Sequence, residues 1–252
     1  MKHLTKSVIQ WIKDYFKDND DGKVIVGISA GKDSTITAAL CVKALGEDRV
    51  IGVLMPNGVQ SDISDSYKVC DLLGIKPIEI NINNAYNSLV MSVCNDIESM
   101  PDMIRTNLPS RLRMCVLYTV AALYHNSRVV NTSNWSERYI GYCTKGGDTV
   151  ADFSPLGMLT VREVLAIGDD LGLPYDLVHK TPSDGMSGKS DEEKIGFTYE
   201  ELDNYLLIEN KTPSREVFEK INKMHEANKH KLLPMPMFNP NFVDMLHEVN
   251  ER

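Results

Sequence analysis

Hydrophobic residues in the first half of the chain alternate between two patterns. Short apolar runs at residues 24–28, 50–55 and 76–82 predict strands, and the first is continuous and β-branched, as a strand buried on both faces of a parallel sheet requires. Between the runs, apolar positions recur at helical spacing. Ile36, Ala39, Leu40 and Leu45 lead to Gly46, and residues 62–73 lead to Gly74, each glycine marking a helix end. A helical tract from about residue 109 to 125 leads into a fourth strand at residues 128–131. This alternation implies right-handed βαβ crossovers. It predicts an α/β fold, a doubly wound, Rossmann-like parallel sheet with helices on both faces and ligands at the C-terminal edge of its strands.

Beyond residue 140 the chain becomes richer in loop residues, with Gly146-Gly147-Asp148 and residues 181–189 standing out. Helices are expected at residues 161–170, 199–207 and 214–228, the last with Thr212 and Pro213 as cap and first-turn residues. No repeat, low-complexity tract or linker interrupts the 252 residues, which reads as one domain without a glutaminase portion.

Composition narrows the function classes. The 42% hydrophobic and 25% charged content is ordinary for a globular protein, and no apolar run approaches the ~20 residues that span a bilayer. Leu4, Val8, Trp11, Ile12 and Tyr15 lie at helical spacing, so the first residues read as a packed amphipathic helix and not as a signal peptide. Five widely spaced cysteines without a C-x-x-C pair argue against disulfides and zinc and for a reducing cytoplasm. A net charge of -8 disfavours general nucleic-acid binding, so an anionic ligand needs a locally basic pocket.

Such a pocket is expected at Gly27-Ile28-Ser29-Ala30-Gly31-Lys32-Asp33-Ser34, which follows the first strand and opens a helix, aiming backbone amides at an anion. It is not a Walker A loop, because only three residues separate Gly27 from Gly31 and Asp33 follows the lysine. The loop resembles the S-G-G-x-D-S segment of the ATP pyrophosphatases, which cleave ATP between the α and β phosphates and transfer AMP to a substrate oxygen. In that chemistry Ser29, Ser34 and the amides hold the departing pyrophosphate, and Asp33 tolerates phosphate oxygens only with a magnesium ion between them. Ala30 replaces the family's first glycine, which requires negative φ at that position. The bland reading of the loop is an ordinary βα turn.

Later segments select a family. Thr132-Ser133-Asn134-Trp135-Ser136-Glu137, Gly141-Tyr142-Cys143-Thr144-Lys145-Gly146-Gly147-Asp148 and Ala151-Asp152-Phe153-Ser154-Pro155-Leu156 closely resemble the NAD synthetase pattern. Asn107 and Arg111-Leu112-Arg113-Met114 match it upstream, with Ser110 in place of alanine; Ser190-Asp191-Glu192, Gly196, Tyr199, Asp203, Tyr205-Leu206 and His230-Lys231 match it downstream. The resemblance implies an adenine nucleotide alpha hydrolase-like sheet and ligation of magnesium by Asp33 and Glu137. It implies further that Thr132 and Ser183 touch ATP, that Arg111, Lys145, Asp152, His230 and Lys231 contact nicotinate adenine dinucleotide (deamido-NAD), and that the protein is a homodimer.

Singly, each of these residues has a plainer reading. Arg111 and Arg113 could be the solvated side of a helix, Glu137 a surface carboxylate, His230-Lys231 a basic tail, Asp152 a turn cap and Asp191-Glu192 helix-start charges. Their joint order and spacing favour the site. Two further departures stand out. Val161 takes the place of an ATP-contacting lysine beside Arg162, and Ser183 that of a threonine, ahead of an expected flexible cover at residues 185–189.

The activity so implied is conversion of deamido-NAD to NAD with ATP and free ammonia, through an acyl-adenylate. The alternatives are another adenylating enzyme such as a tRNA thiolase, whose basic RNA surface and cysteine pair this acidic chain lacks, or a catalytically silent nucleotide-binding protein.

Overall fold

The computed structural model describes residues 2–94, 100–179, 190–208 and 213–238. Helix α1 (Lys2–Tyr15) precedes β1 (Val24–Gly27), α2 (Lys32–Leu45), β2 (Val50–Leu54), α3 (Ile63–Leu73), β3 (Lys76–Glu79), α4 (Asn83–Val93), α5 (Asp102–Ala121) and β4 (Arg128–Val129). The four strands are parallel in the order β3-β2-β1-β4. The chain reverses its winding direction between β1 and β4, so the crevice outside their carboxyl ends is the switch point where such sheets take ligands.

Alternation along the strands explains the layers. Val24 and Val26 of β1, with Val50 and Leu54 of β2, face a core built with α1, α2 and α3, including Ile12, Ile36 and Val69. Ile25, Ile51 and Val53 face the opposite layer, against Leu117 and Val120 of α5. Because both faces are dry, neither strand carries the polar alternation of a one-sided sheet.

The second half adds α6 (Trp135–Ile140), α7 (Val161–Asp170), α8 (Tyr175–Val178), α9 (Asp191–Ile195), α10 (Tyr199–Leu206) and α11 (Arg215–Asn228). Ile140, Val161, Ile195, Phe197, Leu202 and Ile221 make a separate apolar cluster joining α6, α7, α9, α10 and α11. Val164 and Ile167 of α7 face the sheet core, so this helix carries the added cluster on the main body.

The structure moves several sequence-predicted boundaries. β3 ends at Glu79 and not at Ile82; it is an edge strand of partly exposed residues, although Ile82 N–H still donates to Pro56 O at 2.9 Å. The tract expected from residue 109 begins seven residues earlier, with Pro109 buried inside α5, and stops at Ala121. A proline inside a helix removes one ladder hydrogen bond, a cost that local pattern reading takes as a boundary and packing offsets here. β4 shortens to two residues, continued by the single bridge of Val130 to Phe153. The cap of α11 is Ser214, whose hydroxyl accepts from Val217 N–H; Thr212 lies outside the described residues. In α1, Val8 and Ile12 are buried, whereas Trp11 and Tyr15 stay partly exposed, Tyr15 stacking on Phe153 at 4.9 Å. No helix among the described residues is long and apolar enough to cross a membrane.

Candidate active site

Two segments meet at the switch point: the loop between β1 and α2, and the Thr132-Ser133-Asn134 stretch leaving β4. Ile28 N–H bonds to Val53 O at 2.9 Å, extending β1 by one residue before the chain turns. The turn is closed by hydroxyls. Ser34 Oγ donates to Gly31 O at 3.1 Å and lies 3.1 Å from Ser29 Oγ, while Gly31 N–H donates to Ser29 Oγ at 3.3 Å. Gly31 is the N-cap of α2 and has no capping side chain, which leaves the first-turn amides to an incoming anion.

Ala30 has φ +56°, the left-handed conformation, contrary to the negative value its side chain requires for ease. Its Cβ is buried in the main core, and this contact compensates. The strain of roughly 1–2 kcal/mol is set against burial of a methyl, roughly 0.8 kcal/mol, and the extra unfolded-state freedom of glycine, roughly 0.5–1 kcal/mol. Ala30→Gly therefore changes stability by less than about 1 kcal/mol, whereas Ala30→Val, β-branched at positive φ, lowers it by more than about 2 kcal/mol; urea denaturation measures both.

Three ionisable groups occupy the mouth of the loop. Lys32 Nζ lies 2.7 Å from Asp33 Oδ2 and 3.7 Å from Glu137 Oε1, and its side chain is buried. Burial opposes its charge, but Asp33 and then Glu137 more than offset this and hold the ammonium above the ordinary lysine range. Burial, then repulsion from Asp33, pushes Glu137 up to about 8 against the pull of Lys32. Asn134 positions both carboxylates. Its Nδ2 donates to Asp33 Oδ1 at 3.0 Å, and its Oδ1 accepts from Glu137 N–H at 3.0 Å as the N-cap of α6. Thr132, half-buried, lies two residues earlier, three beyond β4, while Ser183 falls outside the described residues, as does the expected cover at residues 185–189.

The basic residues expected at the dinucleotide gather elsewhere. Arg111 Nε donates to Lys145 O at 3.2 Å, Lys145 Nζ to His230 O at 3.0 Å, and Lys231 Nζ to Gly141 O at 2.8 Å and Cys143 O at 3.1 Å. The Arg111, Lys145 and Lys231 side chains thus gather at the turn after α6, which His230 reaches through its backbone oxygen while its ring Nδ1 lies 3.0 Å from Ala227 O. Ser110 serves this turn, donating to Asp148 Oδ1 at 3.3 Å and accepting from Asp148 N–H at 3.1 Å. Gly141 has φ +64°, and a Cβ there would meet Asn228 Cβ at 2.2 Å, so α11 can dock only against glycine. Asp152 takes no part in these contacts. Its Oδ2 accepts from Val129 N–H at 2.7 Å and its Oδ1 from Tyr118 OH at 3.3 Å, both beside β4. Arg113 is not on a solvated face, since its Nε reaches Met55 O at 3.0 Å.

A cleft of about 490 Å³ adjoins Lys32, lined also by Val161, Arg162, Asp191, Tyr199 and Asp203. Val161 turns into the apolar cluster, whereas Arg162 donates to Asn204 Oδ1 at 2.5 Å and its N–H to Asp203 Oδ2 at 2.8 Å. Asp191 does open a helix, yet its carboxylate accepts from Tyr142 OH at 3.0 Å, and its charge helps raise both Lys32 and Glu137. Sequence reading missed Lys32 as the buried counter-ion and Asn134 as the link between carboxylates; the only signal for the latter is an Asn three residues before Glu at a helix start.

The family model described as NAD synthase matches residues 4–235. The NH3-dependent NAD+ synthetase of Methanocaldococcus jannaschii is 37% identical over 218 residues, covering 84% of each chain. That of Carboxydothermus hydrogenoformans is 35% identical over 230 residues, covering 90% of this chain and 93% of the relative. Among solved structures, NMN synthetase from Francisella tularensis superimposes with a TM-score of 0.85 at 31% identity, covering 94% of this chain and 98% of that one. NH3-dependent NAD synthetase from Campylobacter jejuni does so at 0.76 and 26%, with the same coverage. Switch-point geometry, motif order and these likenesses agree that the chain belongs to the NAD synthase family.

Proposed function

We propose that this protein amidates deamido-NAD to NAD with ATP and ammonia. The observation that carries the reading is the pairing of Asp33 and Glu137 around one buried cation at the mouth of an uncapped phosphate loop. A nicotinate carboxylate resists ammonia because its oxygen is a poor leaving group. One carboxylate oxygen attacks the α phosphorus of ATP, the bond to the β phosphate breaks, and pyrophosphate leaves. Ammonia then attacks the acyl carbon, AMP departs with that oxygen, and the surplus proton passes to solvent.

Residues 29–34 hold the departing pyrophosphate through the hydroxyls of Ser29 and Ser34 and the first-turn amides of α2. Asp33 and Glu137 fit a hard divalent cation. Both donors are carboxylate oxygens, and their negative charge already holds the Lys32 ammonium beside them. Magnesium held there would neutralise charge developing on the phosphates. With a cation there, Lys32 would remain beside the loop as a counter-charge to ATP. Arg111, Lys145, His230 and Lys231 receive the anionic dinucleotide, and Thr132 and Ser183 complete the ATP site. Asp152 is the weakest member of this set, since the edge of β4 occupies its carboxylate.

Met91, Val93, Met103 and Leu123, exposed on or next to α4 and α5, suit a homodimer, and the described cysteines, all free, suit the cytoplasm. Sedimentation at micromolar concentration is expected to show twice the chain mass; a monomer there would remove the dimer.

A second reading rests on the 0.85 TM-score to NMN synthetase. A mononucleotide carries the same nicotinate carboxylate and would use the same loop and acid pair. Initial rates with ATP, magnesium and ammonium on each nucleotide decide. The dinucleotide is expected to have the higher kcat/KM, a reversed ratio establishes the mononucleotide reading, and no turnover of either removes both.

A further inference from the structure

Among the polar groups lining the cleft beside Lys32 that the reaction as described leaves unused, Tyr199 stands apart. Tyr199 opens α10 with only 5% of its surface exposed, and Lys32 Nζ stands 5.7 Å from its ring centroid. Its hydroxyl is buried and has no hydrogen-bond partner among the described residues. Buried hydroxyls are seldom left this way, because the group has lost water and gained nothing in exchange. The other unpartnered side chains, such as Thr5, Thr35 and Ser66, do not line this cleft; Tyr199 does, together with Lys32, Arg162 and Asp191.

The chemistry of this hydroxyl is restricted. Burial first, then the carboxylates of Glu137, Asp191 and Asp33, keeps the phenol far above the usual tyrosine range. It stays protonated and is a fixed donor. A donor without an acceptor, beside a buried ammonium and the phosphate loop, matches an oxyanion ligand: the negative oxygen meets Lys32 and Tyr199 together.

We infer that the Tyr199 hydroxyl is a ligand-binding group that donates a hydrogen bond to an anionic oxygen of the ATP phosphates. This rests on the reading of residues 29–34 as an ATP site.

Tyr199→Phe deletes the hydroxyl and keeps the ring over Lys32. Calorimetric titration of the full chain with ATP, steady-state KM for ATP and for deamido-NAD, and melting without ligand are measured together. ATP affinity is expected to fall roughly tenfold, the worth of one hydrogen bond to a charged acceptor. KM for ATP rises in parallel and KM for deamido-NAD stays put. The ligand-free melting temperature holds or rises, because a buried orphan has been removed. Unchanged ATP affinity while the parent still forms NAD overturns this inference alone. So does a ligand-free melting temperature several degrees lower, which would mean that the hydroxyl is already satisfied within the fold. A parent chain that does not bind ATP overturns the underlying reading and this one together.

Discussion

Asp33→Asn lowers the rate of pyrophosphate release on the order of 10²–10³-fold, the size of effect seen when a fixed electrostatic group is removed from a reacting centre. The fold survives the change. Asn has the same shape and its oxygen can still accept from Lys32, at the cost of the bond from Asn134 Nδ2, while Asn134 keeps its capping bond to Glu137 N–H. Lys32 loses its nearer counter-charge, but Glu137, relieved of one of the causes that raise it, takes over that role, so the melting temperature without ligand stays close to the parent's. The loss therefore lies in chemistry and metal dependence. Unchanged turnover in a variant with native melting would take Asp33 out of the reacting centre.

Glu137→Gln separates stability from function in the opposite sense. The carboxyl titrates at about 8 in the folded protein against 4.5 for an ordinary glutamate. The folded state then binds more protons than the unfolded state between those values. Stability from the protonated group is fully present below about pH 4.5 and is lost as pH rises through about 8. Gln cannot ionise, so the stability gap between variant and parent is small at pH 5 and widens as pH rises. It levels off above pH 8 with the variant the more stable. Urea denaturation in chelator-containing buffer across this range measures it. Turnover moves the other way, by roughly 10²-fold or more downward, because one of the two carboxylates proposed to hold the cation is gone. A variant that is both less stable at pH 9 and fully active would contradict the placement of Glu137 beside Asp33.

What the sequence made legible follows from how local each signal is. Residues 24–28 and 50–55 read as strands because burial on both faces leaves an unbroken apolar run, and the sheet order follows from crossover rules. The loop between β1 and α2 is visible because strand, glycine and helix start are consecutive. Pro109 misled because tertiary packing carries α5 through a residue that ends most helices. The same limit governs the site. Motif order picks out Asp33 and Glu137, about a hundred positions apart, as candidates, but nothing local says that Lys32 lies beside both. Ala30 was the clearest failure of local reasoning, since the rule against positive φ gave way to core contact at its Cβ. Tyr199 appears as a pattern match alone, for only the packed cluster shows that its hydroxyl lacks a partner among the described residues.

The central claim is that ATP activates a carboxylate by transfer of AMP to its oxygen before ammonia arrives. Deamido-NAD labelled with ¹⁸O in the nicotinate carboxyl group, incubated with the protein, ATP, magnesium and ammonium, tests this directly. The account predicts NAD and AMP in equal amounts, with one labelled oxygen carried into the phosphate of AMP. Unlabelled AMP, or ADP in its place, would contradict it.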